Sequence, residues 1–366
     1  MLAGWHPYAS QAQFRERRCM EHEQDAGYIL FATESLLKRL QALTQEMEGV
    51  RQAQDIEYIH RMRVASRRLR SAITLFEECL PRKKLPDWQK QVRRITRALG
   101  SARDTDVQID LLDQVLRHLK EPSAGDVGED VRRYQPGIER LRLRLRQRRE
   151  KLQADVSGAL DEWEASHVTE EMGQTLRQQL VQARLSQVEA ASPRVYQQAY
   201  LITSLRLEEM LAYDACVYHP EQVEELHAMR IAAKRLRYTM EVFAPLYESG
   251  LKQPLQAARE AQDVLGDIHD GDVWVQVLPQ FIEEERARTL EYFGHARSFG
   301  RLEAGLVYLQ QERQRYRAER YQEFVEFWQQ TQGKDVWGDL RQTLRSRLVE
   351  TVSAPQVQPP AEETRP

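Results

Sequence analysis

Long apolar runs are missing from this chain of 366 residues: no stretch approaches 18 consecutive apolar residues, so a membrane span is not expected. The amino terminus, MLAGWHPYASQAQFRERR, has no apolar core of the kind a secretory signal requires, and the expected location is the cytoplasm. Cysteine is scarce. Cys19, Cys79 and Cys216 stand far apart with no paired motif, which argues against a disulfide framework or a zinc knuckle and for reduced, structural thiols. Glycine (17) and proline (14) are few for the length, whereas 30% of the residues are charged and 41% hydrophobic, a composition that suits long amphipathic helices better than strands joined by turns. The expected fold class is all-α. No GxxxxGKS/T phosphate loop and no HExxH or HxxxH pair is present, which removes the usual signatures of a P-loop enzyme or a dedicated transition-metal site. An excess of either charge is also lacking: 53 Lys+Arg against 56 Asp+Glu leave a net of -3.

What is present is a repeat. HRMRVASRRLR from His60 to Arg70 returns as HAMRIAAKRLR from His227 to Arg237, with identity at most positions and the conservative swaps Val64/Ile231 and Arg67/Lys234. The interval from His60 to His227 sets a period for the chain. LGSARDTDV from Leu99 to Val107 returns as LGDIHDGDV from Leu265 to Val273, one position short of that period. Arg39 and Arg206 lie in apolar-periodic segments that superpose at the same period, and Trp163 and Trp328 fall close to it. Two homologous halves are therefore expected. The organisation reads as an arm over 1–20, a domain over 21–335, a C-terminal helix over 336–352 and a disordered tail over 353–366. Within the domain the first repeat covers about 26–166, a polar helical connector 167–192 and the second repeat about 193–331. Each half is expected to form a four-helix antiparallel bundle. Ser192-Pro193 reads as a capped helix start. The third helix of each half should stop at Gly100 or Gly266, and the fourth should begin at Asp104/Asp106 or Asp270/Asp272.

On a helix, His60, Arg63, Arg67 and Arg70 fall within a stripe about 80° wide, with Ala65, Leu69, Ile73 and Phe76 near the other side. The matching stripe is His227, Arg230, Lys234 and Arg237. Neither motif segment holds an acid, and like charges three and four apart repel by a few tenths of a kcal/mol per pair, so a compensating group is required. From His60 to Arg103, 13 Lys/Arg face only Glu77, Glu78 and Asp87, a net of +10, which leaves about -13 for the rest of the chain. Such segregation suits steering of a polyanion. A second basic run, Arg132 to Lys151, carries nine Lys/Arg against Glu139 and Glu150; a solvated face and a ligand-facing role are both open for it.

HxxRxxxRRLR and HxxRxxxKRLRY, each followed by LGxxxDxDV, resemble the CHAD domain, the conserved-histidine α-helical domain, over residues from about 20 to 330. The resemblance implies two pseudo-symmetric four-helix bundles with a basic central groove, binding of inorganic polyphosphate and association with polyphosphate granules. Carried over residue by residue, it marks His60, Arg63, Arg67, Arg68 and Arg70, then His227, Arg230, Lys234, Arg235, Arg237 and Tyr238, with Arg39 and Arg206 supported by the repeat. The ExExK strand of the triphosphate tunnel domains fused to some relatives is absent, and Arg103 of the first half is His269 in the second.

The leading expectation is a non-catalytic polyphosphate-binding protein needing no cofactor, with Mg²⁺ or Ca²⁺ as ions that could accompany the phosphate chain. The alternatives are a metal-dependent phosphoryl-transfer or phosphohydrolase accessory enzyme, and a nucleic-acid-binding module, although the cationic stripes hold no interleaved aromatics for base stacking. Asp104, Asp106, Asp270 and Asp272 read first as helix caps and second as carboxylates that orient arginines or hold a divalent ion. With His60 and His227 beside the anion, affinity is expected to rise as pH falls from about 8 to 6.

Overall fold

The computed structural model describes residues 25–53, 55–120 and 127–353, and among these there is no strand. The amino-terminal arm, Cys19 and the tail after Ser353 lie outside the described residues. The first half contains α1 (Ala26–Thr44), the short α2 (Met47–Gln52), α3 (Ile56–Leu75), α4 (Leu85–His118), α5 (Val127–Ala165) and α6 (Val168–Leu185). The second contains α7 (Pro193–Leu211), α8 (Val223–Phe243), α9 (Lys252–Phe293), α10 (Gly300–Gly333) and α11 (Val336–Ser353). The starts of α7, α8 and α9 follow those of α1, α3 and α4 by the same period that separates His60 from His227, and α11 follows α6 within one position of it, so helix order follows the sequence repeat.

Local chemistry sets several of these boundaries. Asp25 caps α1, its Oδ1 accepting from the Tyr28 amide at 2.7 Å, and Asp55 caps α3 by accepting from Glu57 N at 2.8 Å. Ser192 precedes α7 with Pro193 in the first turn, as expected, but its hydroxyl makes no cap bond; it donates to Asp25 Oδ1 at 2.8 Å and so ties the starts of the two halves together.

Gly100 and Gly266 do not end helices. Both lie inside continuous helices, α4 of 34 residues and α9 of 42, so the expected third and fourth helices of each half are one rod about 50 or 60 Å long. An internal glycine costs only about 1 kcal/mol relative to alanine, and packing on both sides offsets it: Ile95, Leu99, Ala102 and Leu112 are buried around Gly100, and Leu265, Ile268 and Trp274 around Gly266. Asp104, Asp106, Asp270 and Asp272 consequently sit in mid-helix and cap nothing. The segment expected as a connector is α6, whose Val168, Met172 and Leu176 are buried, and α11 is its positional counterpart.

The main core draws on both halves. Phe31 of α1 stacks on Phe243 of α8 with ring centroids 5.8 Å apart, and Phe76 meets Phe243 edge-on at 6.4 Å. A second, smaller core forms where α4, α5, α9 and α10 extend away from it, built from Leu112, Leu116, Ile138, Leu141, Leu145, Trp274, Leu278, Leu306 and Leu309. There α5 and α10 touch backbone to backbone. A Cβ on Gly137 would lie 2.1 Å from Leu302 O, and one on Gly305 2.0 Å from Tyr134 O, so only glycine fits at either position. The Tyr134 and Tyr308 rings stack beside this contact at 4.5 Å.

Candidate functional site

The cationic stripes of α3 and α8 divide along their length. Arg67 and Arg70 of the α3 stripe and Lys234 of the α8 stripe line a groove of about 1030 Å³ between the halves, joined by Arg235 from outside the stripe, whereas Arg237 of the α8 stripe does not line it. From α4 come Arg93 and Arg97, and from α7 Arg206. Seven cations thus face the groove, against Glu77, Glu78 and Glu209. Ser71, Thr74, Thr96, Gln198 and Thr239 add uncharged hydrogen-bonding groups, and Tyr238 closes part of the wall while itself buried.

Compensation within the groove is sparse. Among the described residues the clamped groove cation is Arg206, its Nη1 donating to both carboxylate oxygens of Glu209 at 2.6 and 2.7 Å. Arg67, Arg70, Arg93, Arg97, Lys234 and Arg235 form no ion pair among the described residues. The strain registers on Lys234: burial, then the neighbouring Arg67, Arg230, Arg70 and Arg235, bring its pKa down to about 8. Burial, followed by Arg93, Arg67 and Arg235, also lowers Arg70. Cations that depress one another in this way favour a negative charge beside them, because it would offset their mutual repulsion.

The earlier residues of the stripes do something different. His60 and Arg63 face Arg103 and Asp104 of α4, and Arg63 Nη2 donates to Asp104 Oδ1 at 2.9 Å. His227 packs against His269, the counterpart of Arg103, with ring centroids 4.1 Å apart and the planes tilted by 36°. Neither histidine lines the groove. Nδ1 of each is buried with no hydrogen-bond partner, as are Arg63 Nε and Arg230 Nε. Burial first, with Arg103 next for His60 and Arg230 for His227, holds both imidazoles below their usual range. His269 falls further, to about 4, through burial and His227. The titratable group inside the groove near neutral pH is therefore Lys234, and the expected pH window moves upward from that of histidine.

Three marked residues lie elsewhere. Arg68 Nε donates to Glu241 Oε2 at 2.9 Å, Arg237 Nε lies 3.5 Å from Glu241 Oε1, and Arg39 donates to Ser35 O and Oγ at 2.9 and 2.6 Å. The mid-helix aspartates serve arginines: besides Asp104, Asp106 accepts from Arg149 and Asp272 from Arg317, at 2.8 and 2.9 Å. Asp270 is kept above the usual carboxylate range by burial, against the pull of Arg230.

Arg93 and Arg97 are the groove residues that motif reasoning missed. They contribute to the +10 count, and their i, i+4 spacing puts them on one helix face, but the adjacent Arg94, which pairs with Glu162, looks the same in sequence. The basic run on α5 resolves as largely structural. Arg142 and Arg146 reach Asp113, Arg149 reaches Asp106, and Arg140 and Arg144 converge on Glu285, a carboxylate only 3% exposed that also pairs with Arg288.

Helical hairpins from two halves, enclosing a cationic groove, define an all-α architecture, and comparison with known proteins gives it a family. The CHAD domain model matches residues 34–279, about two-thirds of the chain, and the chain belongs to the CHAD domain family. An uncharacterised protein of Mycobacterium tuberculosis strain CDC 1551 and its counterpart in a second strain of that species are each 30% identical over 223 residues, 59% of this chain. That alignment covers 38% of their own length. Among solved structures, the CHAD domain from the plant Ricinus communis matches at a TM-score of 0.54 and 23% identity, covering 83% of this chain and 97% of that one. PptA from Streptomyces chartreusis matches at 0.50 and 13%, covering 83% and 99%. At these identities the likeness is one of fold. Among the described residues no helix is long and apolar enough to cross a membrane.

Proposed function

We propose that this protein binds inorganic polyphosphate in the groove between its halves and does so without catalysis. The observation that carries this reading is the set of six cations from α3, α4 and α8 that face one cavity with no carboxylate partner among the described residues. Arginine forks and the Lys234 ammonium would donate charge-assisted hydrogen bonds to the non-bridging oxygens, each contributing about 1.5–3 kcal/mol in favourable geometry. Repeating phosphates at regular spacing suit a cleft lined along its length from both halves. His60, Arg63, His227 and Arg230 would act from behind this lining, holding the two basic helices in place through Asp104 and the His227–His269 ring contact. A divalent ion such as Mg²⁺ or Ca²⁺ would enter with the phosphate chain, and association with polyphosphate granules would follow from the ligand.

The test is titration with polyphosphates of defined length at several salt concentrations. Affinity should grow with chain length, and log K should fall linearly with log salt, with a slope reflecting several displaced counterions. Flat salt dependence, or equal competition by single-stranded RNA, would overturn the reading in favour of an uncharged ligand or of nucleic acid. Release of phosphate in the presence of Mg²⁺ or Mn²⁺ would establish the enzymatic alternative.

A further inference from the structure

The groove has a counterpart that is already filled. Shifted by one period of the repeat, Arg70, Arg206 and Arg235 become Arg237, Arg39 and Arg68. These three also gather, but around the carboxylate of Glu241, which is 14% exposed. Arg68 Nε donates to its Oε2 at 2.9 Å, and Arg237 Nε stands 3.5 Å from its Oε1. Arg39 lies close enough that its charge is felt by the same pair: burial and Arg68 lower its pKa, and Glu241 opposes them. In the groove, the position corresponding to Glu241 is Thr74, whose hydroxyl donates to Arg70 O at 3.1 Å and brings no charge. Glu260 and Val264 correspond to Arg93 and Arg97. One face is therefore left cationic, and the other is neutralised from within.

The neutralisation is incomplete in a telling way. Glu241 Oε1 and Arg237 Nε are both buried and, among the described residues, both without a hydrogen-bond partner, although they belong to the same ion pair. One planar carboxylate on a side chain fixed to α8 reaches Arg68 well and Arg237 poorly. A tetrahedral anion offers oxygens in more directions than a carboxylate and can meet forks arriving from different helices. We infer that Arg39, Arg68 and Arg237 form a second oxyanion site, chemically suited to a phosphate group, which the Glu241 carboxylate occupies as a built-in anion so that the protein binds ligand on one face only. The choice of phosphate rests on the reading of the groove as a polyphosphate site; the occupancy by Glu241 does not.

The experiment is calorimetric titration with inorganic tripolyphosphate at low salt, comparing the wild-type chain with Glu241→Gln, which keeps the size of the side chain, and Glu241→Thr, which copies Thr74. The wild type should bind one tripolyphosphate per chain and both variants two. Adding Arg93→Glu and Arg97→Glu, on exposed groove positions, to Glu241→Gln should return the count to one by disabling the groove. If a variant is unfolded without ligand, tripolyphosphate should restore its cooperative melt; failure to restore it overturns the proposal. A folded Glu241→Gln chain that binds no more than the wild type also overturns it. A wild type that binds nothing refutes the groove reading instead, and a gained site in Glu241→Gln would then still uphold the second site.

Discussion

Two basic stretches of this chain look alike as text, and both pair some of their cations with carboxylates, but the first also gathers uncompensated cations in one groove. His60 to Arg103 and Arg132 to Lys151 are both arginine-rich helices with few acids of their own. Along α5 the cations find carboxylates on neighbouring helices: Asp106, Asp113 and the buried Glu285 receive five of them. In the groove, Arg67, Arg70, Arg93 and Arg97 find none among the described residues and meet Lys234 and Arg235 from the other half. The difference teaches that excess charge identifies a site only after tertiary neighbours have been subtracted. Compensated arginines bolt helices together, and the uncompensated ones are those on which the proposed binding rests.

Charge reversal is the strongest way to break this contrast. Arg67→Glu with Arg235→Glu should weaken polyphosphate binding by about 10²–10⁴-fold, the loss of two charge-assisted contacts, while thermal melting stays level or rises as repulsion is relieved. Unfolding of that double variant would show that these side chains are structural after all. Arg63 is a poorer target, because it is itself mostly buried and paired with Asp104 rather than facing the groove. The reciprocal experiment is Glu285→Ala, which leaves Arg140, Arg144 and Arg288 without their shared, nearly inaccessible partner. It should cost about 3–5 kcal/mol in chemical denaturation and leave binding within twofold. Burial alone would raise the pKa of Glu285, but hydrogen bonds from Arg144 and Arg288 outweigh it and hold the group below the usual carboxylate range, so its stabilisation persists at neutral pH and fails as acid protonates it.

Smaller effects sharpen the same contrast. Gly137→Ala should destabilise the fold by about 1–3 kcal/mol by prising α5 from α10, again with little change in groove affinity, as measured by melting and titration side by side. The smallest shift concerns pH. Burial and the neighbouring cations bring the pKa of Lys234 down to about 8, and a bound anion would raise it, so binding above pH 8 would require uptake of a proton. Affinity should therefore fall about tenfold between about pH 7 and 9.5 at constant salt, and Lys234→Arg, charged throughout, should flatten the profile. An unchanged slope in that variant would assign the dependence to another group.

Much of the architecture was legible in the sequence. The interval between the two basic motifs anticipated where α7, α8 and α9 begin, and the narrow cationic stripe placed Arg67, Arg70 and Lys234 on the face that lines the groove. What escaped depends on contacts between distant segments. Gly100 and Gly266 carry the sequence signature of a helix stop, and only packing on both sides makes the helix continue. Arg68 and Arg237 carry the motif of the groove residues, yet a single glutamate on α8 diverts them. Asp104 and Asp106 read as caps because the helix was expected to restart there, whereas unbroken, it aims them at Arg63 and Arg149.

The smaller core at the far ends of α4, α5, α9 and α10 bears on how this molecule can be divided. Leu112, Leu116, Ile138 and Leu141 come from the first half, and Trp274, Leu278, Leu306 and Leu309 from the second, sealed by reciprocal glycines at 137 and 305. A fragment ending near residue 190 would carry a complete set of helices and half an interior. Such a cut would strip Leu112, Ile138 and Leu141 of the apolar partners that Trp274, Leu278, Leu306 and Leu309 supply, so dividing the chain there opens the smaller core to water from both sides.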